Sequence, residues 1–117
     1  MVARLAKKAG HKTLERLQYF FVGKKAEALL CNDYINEIEQ KLHIPVLGRP
    51  NTFAEIFKFL MQLSAQRPFT LIIDEFQNFT KVNPNIFSDI QRDWDLYKRE
   101  SKIHLIISGS VFTFVKF

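Results

Sequence analysis

At 117 residues, 47% hydrophobic and 25% charged, the chain is sized for one globular domain. Four Gly and four Pro exclude collagen-like and Pro-rich disordered classes, and the single cysteine, Cys31, excludes an internal disulfide and a Cys-based zinc site. No apolar run approaches the roughly 20 residues of a membrane span, and the opening residues lack an apolar signal-peptide core, which predicts a cytoplasmic protein with no membrane partner.

The net charge of +5 is unevenly placed: residues 1–25 carry seven basic side chains and one acid, +6, leaving −1 for the remainder. The high isoelectric point therefore belongs to an N-terminal segment. Residues 1–25 either attract nucleic acid or a phosphate-rich ligand or act as a solvated leader. Residues 1–18 are set apart as a basic segment, and residues 19–117 as the core domain.

Taken in chain order, Tyr19-Phe20-Phe21-Val22 is short, aromatic and β-branched without polar alternation, which predicts a strand buried on both faces. Ala28, Leu29, Cys31, Ile35, Ile38 and Leu42 recur at helical spacing and predict an amphipathic helix over 24–42, ended by His43-Ile44-Pro45. A loop follows over 46–51. Thr52-Phe53-Ala54-Glu55 has the form of a capping box and opens a helix to about Ala65, with Phe53, Ile56, Phe57, Leu60, Met61 and Leu63 as its apolar stripe. Phe69-Thr70-Leu71-Ile72-Ile73 is a second strand, ending on Asp74-Glu75. A loop is expected over 76–82. Asn83-Pro84 then reads as an N-cap with proline at the first helical position, and the helix it opens carries Ile86, Ile90, Trp94 and Tyr97 to about Arg99. Ile103-His104-Leu105-Ile106-Ile107 is the third strand, ending in Ser108-Gly109-Ser110, and Val111 to Phe117 is expected to begin another helix. Strands near 19–22, 69–73 and 103–107 alternating with helices imply an α/β fold: a three-layer parallel sheet with flanking helices.

In open α/β sheets, ligands bind off the carboxyl ends of the strands. Two of the three strands end there in polar residues, and a buried strand that delivers adjacent acids to its rim needs a reason, because unpaired buried carboxylates are costly. Asp74 and Glu75 either cap the loop and face solvent or serve chemistry. Four hydrophobics followed by Asp-Glu is the Walker B form. Together with Tyr19-Phe20-Phe21-Val22-Gly23-Lys24-Lys25, Asp74-Glu75-Phe76-Gln77-Asn78-Phe79 and Ile106-Ile107-Ser108-Gly109-Ser110, it makes residues 19–117 resemble the archaeal and bacterial P-loop ATPases of the AAA/STAND type. The resemblance implies a partial P-loop NTPase fold with ATP and Mg²⁺ as cofactors. It implies that Asp74 is the acid on the Mg²⁺ side and Glu75 the catalytic carboxylate. Ser108 or Ser110 would be the γ-phosphate sensor. Gln77 and Asn78 would touch nucleotide or a partner subunit.

The chain departs from that family at its start. No G-x-x-x-x-G-K-[ST] phosphate loop is present. The nearest string, Lys8-Ala9-Gly10-His11-Lys12-Thr13, has a residue between Gly and Lys and reads as a coincidence or a decayed remnant. The chain looks like a fragment lacking the first and fifth strands of the family sheet. In the family order 5-1-4-3-2 its three strands would be neighbours, with Ile103 to Ile107 at an open edge. Self-association through that edge is expected, and a non-catalytic interaction module using the edge and the basic N-terminus is the alternative function. None of His11, His43 and His104 has a His or Cys at i+3 or i+4, and Cys31 reads as a small buried hydrophobe. The phenylalanines are chiefly core, with Phe76 and Phe79 candidates for a partner-facing patch.

Overall fold

The computed structural model describes residues 17–109 and 115–116. The elements are β1 (Leu17–Phe21), α1 (Glu27–Leu42), α2 (Phe53–Ser64), β2 (Phe69–Asp74), α3 (Gln77–Val82), α4 (Ile86–Tyr97), β3 (Ile103–Ile107) and the two-residue β4 (Val115–Lys116). The sheet order is β1-β2-β3-β4. β1 to β3 are parallel, with Phe20 opposite Ile73 and Ile73 opposite Ile107, and β4 runs antiparallel to β3. The α/β class and the contiguous order of the three parallel strands follow the sequence expectation. The strand begins at Leu17, so Leu17 and Gln18 belong to the sheet rather than to a leader.

Parallel neighbours need crossovers, and crossovers are right-handed almost without exception. Strand order here advances in one direction, so both crossovers land on the same face. One large core accordingly joins Phe20, Leu71, Ile73, Leu105 and Ile107 to residues of all four helices. Its centre is aromatic: Phe20 stacks on Tyr34 at 4.2 Å between ring centroids, and Phe53 meets Phe79 at 4.7 Å. The opposite face holds a smaller cluster, Ile72 and Ile106, joined by Leu17 and Tyr19. Among the described residues the helices thus form two layers with the sheet, and they do not make the third layer expected. β1 is also not buried on both faces: among the described residues it is an edge strand, and Phe21 on the side away from the helices is 55% exposed.

Several local expectations change for identifiable reasons. Thr52 makes no side-chain cap; the Phe53 backbone N–H, first in α2, is instead taken by Glu27 Oε2 of α1 at 2.9 Å. Glu27 also accepts from Asn83 Nδ2, so one carboxylate ties together three segments. Asn83 forms a local turn, its Oδ1 accepting the Asn85 N–H at 3.1 Å, and α4 starts two residues beyond Pro84. Residues 77–82 form a short helix rather than a loop, because Phe76 and Phe79 are fully buried in the aromatic core; they are not a partner-facing patch. In α1 the buried stripe uses Leu30 and Tyr34, while Leu29 is 59% exposed. The helix expected over 111–117 gives way at residues 115–116 to β4, which covers Ile106 and Ile107 on the β3 edge.

Cys31 is buried in this core. Burial, and then the charge of Glu27, pushes its thiol up from an ordinary 9.0 to about 12. The thiol's contribution to stability is full below the unfolded-state value near 9 and is lost as pH rises towards 12. At pH 8, a disulfide reagent such as Ellman's reagent should label the native chain at the rate of opening and the denatured chain within seconds. Equal rates in both states would contradict this packing.

Candidate functional site

β2 is buried at all six positions, because it is hydrogen-bonded along both edges and has side chains packed on both faces. Its last residue, Asp74, is 4% exposed. A carboxylate that deep is tolerated when its oxygens are satisfied, and here they are. Oδ1 accepts from the Ser108 hydroxyl and from the Glu75 backbone N–H, each at 2.9 Å. Oδ2 accepts from the Tyr19 hydroxyl at 2.7 Å. The backbone repeats the connection: Val22 N–H donates to the Asp74 carbonyl at 2.9 Å, Ser108 N–H to that of Ile73 at 3.0 Å, and Phe76 N–H to that of Ser108 at 3.0 Å. The carboxyl ends of all three parallel strands are thereby fastened at one point.

Burial, followed by the hydrogen bond to Asp74 and the charges of Asp74 and Glu75, raises the Tyr19 phenol well above its ordinary value of 10.0. Tyr19 therefore remains a donor throughout the physiological range.

Glu75 sits at φ +59°, the left-handed region that costs a non-glycine residue about 1 kcal/mol or more. This turn carries the chain from β2 into α3 and leaves the Glu75 side chain partly exposed beside Gln77, whose Nε2 donates to Glu75 Oε2. The other end of that amide, Gln77 Oε1, is buried without a hydrogen-bond partner. Gly109 lies against it, and a Cβ at position 109 would collide with Gln77 Oε1. Strain at a non-glycine left-handed residue and an orphaned buried acceptor are features that cluster at functional sites.

The structure therefore brings together three of the residues singled out from the sequence: Asp74, Glu75 and Ser108. Ser110 lies outside the described residues, as do the Lys8–Thr13 string and His11. Gln77 holds Glu75, whereas Asn78 donates to the Val22 carbonyl at 2.8 Å and is a structural tie between β1 and α3. His43 is the left-handed C-cap of α1, its N–H donating to the Glu39 carbonyl at 3.1 Å. His104 is half-buried within β3. Two contributors were not foreseen. Tyr19 falls within an apolar run in the sequence, and its hydroxyl beside an apolar body is the signal that marks it. Gly109 matters as space, which a sequence does not display. Of the basic residues in 1–25, Lys24 and Lys25 are described; both are exposed, and Lys25 pairs with Asp33 at 2.8 Å.

The donor set of the rim is hard oxygen throughout, which suits Mg²⁺: that ion takes one or two carboxylates and keeps several waters rather than filling an all-protein cage. No group of three or more His, Cys, Asp or Glu residues that could hold a metal is found among the described residues. One cavity, of about 360 Å³, lies at the amino end of the sheet between Gln18, His43, Arg67 and Phe69. No helix among the described residues is long and apolar enough to cross a membrane.

Comparison with known proteins adds little to this geometry. No family model matches the chain, and no solved structure matches it. A stretch of 40 residues, 34% of this chain, is 50% identical to an uncharacterized protein of Methanocaldococcus jannaschii, of which it spans 9%.

The orphaned amide predicts a coupling that stability measurements can read. Gly109→Ala should destabilise the chain by about 1 kcal/mol, because the colliding atom is the far end of the Gln77 side chain, which can swing aside, and Gln77→Ala should remove part of that cost when the two are combined. Strict additivity in urea unfolding would show that Gln77 and Gly109 do not share the contact.

Proposed function

We propose that Asp74, Glu75 and Ser108 form the metal- and water-facing part of a Mg²⁺·ATP site of the kind used by P-loop ATPases of the AAA/STAND type. On the same reading the sheet is a partial P-loop NTPase core. One observation carries this: the acid at the end of the central strand is hydrogen-bonded to the serine at the end of its neighbour, at the rim where ligands bind in open α/β sheets.

Within that reading each residue has a defined task. Asp74, fixed by Ser108 and Tyr19, would hold Mg²⁺ through water. Mg²⁺, when bound, supplies neutralisation of the phosphate oxygens. Glu75 accepts the proton of, or orients, the attacking water, and Gln77 limits the rotamers from which it does so. Ser108 senses the terminal phosphate. Ser110 keeps the same candidate role on the basis of the resemblance alone.

The alternative is a non-catalytic interaction module that uses an exposed sheet edge and the basic N-terminus for a protein partner or nucleic acid. The edge expected for it, Ile103 to Ile107, is covered by β4 at Ile106 and Ile107, so among the described residues its protein-pairing half would fall to β1. Binding that follows the Lys and Arg content of residues 1–25 and falls steeply with salt would mark its nucleic-acid half.

Calorimetry of the full chain with Mg·ATP tests the leading reading. The native chain should bind, Asp74→Asn should weaken binding at least tenfold with unchanged circular dichroism, and Glu75→Gln should bind while losing any hydrolysis. An absence of heat with the native chain, or equal binding by Asp74→Asn, would overturn it.

A further inference from the structure

The sheet has two edges, and they are treated differently. β4 pairs with Ile106 and Ile107 along the carboxyl half of β3, whereas β1 has no paired strand on its outer side among the described residues; the Tyr34 hydroxyl of α1 donates to the Phe21 carbonyl there at 2.8 Å, and that oxygen keeps a second lone pair for another donor. Exposed edge strands are ordinarily protected by charged side chains, by proline or by a bulge. β1 has the sequence LQYFF and carries none of the first two. A groove of about 330 Å³ runs beside it, lined by Gln18 and Tyr19 of the strand and by Glu37, Gln40 and Lys41 of α1.

We propose that a second copy of this chain occupies that edge, pairing β1 with β1 antiparallel about a two-fold axis at Tyr19. The inference is independent of the nucleotide reading. Two features make the surface complementary to itself. First, an antiparallel pair centred on Tyr19 sets Leu17 opposite Phe21 of the second copy, and Phe21 opposite its Leu17. These residues share the face away from the helices, where Leu17 is half-buried and Phe21 is 55% exposed. Apolar–aromatic cross-strand pairs of this kind are favourable, and the pairing covers the exposed ring twice over.

Second, a two-fold axis perpendicular to the sheet leaves both helical layers on one side and brings the two α1 helices together in opposite directions. Glu37 and Lys41 lie one helical turn apart beside the centre of β1. The axis therefore sets Glu37 of each copy opposite Lys41 of the other. An interface formed in this way is isologous and closes at two subunits. Partial burial, and then the like charge of Asp33, raise the Glu37 carboxyl above the ordinary value although the residue is exposed. A cation from a second copy would offset the Asp33 charge.

Light scattering coupled to size exclusion, on the full chain at tens of micromolar, tests this with charge reversals at exposed helical positions. The native chain should run as a dimer. Phe21→Lys should be monomeric, and Glu37→Lys and Lys41→Glu alone should each weaken dimerisation at least tenfold. An equimolar mixture of Glu37→Lys and Lys41→Glu should dimerise again, because both facing pairs are then opposite in sign. A monomeric native chain, variants that dimerise as the native chain does, or a mixture that stays monomeric would each overturn the proposal. Phe21→Lys is checked for fold by circular dichroism, and the two charge variants decide the matter if it does not fold.

Discussion

The Asp74 carboxylate, 4% exposed, receives hydrogen bonds from Tyr19 of β1, from Ser108 at the end of β3 and from the backbone of Glu75. Its own carbonyl accepts from Val22. One residue thus connects the carboxyl ends of three strands that are far apart in sequence. The cost of burying such a charge is recovered through satisfied lone pairs, and removing one partner leaves the others exposed to that cost. This makes the rim stiff at Asp74. It also fixes where the chain turns into the left-handed residue Glu75, and hence which way the second carboxylate points.

Below that rim, the fold is a consequence of direction. Three parallel strands laid down in one order, joined by right-handed crossovers, place every described helix on one face. The aromatic cluster of Phe20, Tyr34, Phe53 and Phe79 fills the space between sheet and helices at the end nearest the site. Phe76 and Phe79, following directly after the acids, anchor α3 to that cluster. The site is therefore held from below by packing and from the side by hydrogen bonds. The same one-way strand order leaves β1 as an edge, so the surface proposed for pairing arises from the topology that built the rim.

The strands and the longer helices were legible in the sequence because apolar periodicity and burial coincide in them. The carboxyl-end acids and Ser108 were legible for the same reason: polar residues that interrupt apolar strands mark the rim. What was not legible depended on partners distant along the chain. Thr52 has the sequence of a capping residue, yet Glu27, 26 positions before Phe53, takes the N–H of Phe53. Residues 76–82 carry the composition of a loop, and tertiary burial of Phe79 makes 77–82 a helix. Leu29 and Tyr34 are both compatible with a helical stripe; stacking against Phe20 selects Tyr34. The role of Gly109 is the absence of a side chain against Gln77, and no local pattern encodes it.

The central claim is that the Asp74–Glu75–Ser108 rim is a prepared ligand site. Amide chemical-shift mapping of the uniformly labelled full chain during titration with Mg·ATP addresses it most directly. The account predicts that the largest changes fall on Asp74 to Gln77 and on Ser108 and Gly109, with Tyr19 following through its hydrogen bond. Changes confined to Gln18, Lys41, His43 and Arg67 around the amino-end cavity, or none at all, would contradict it.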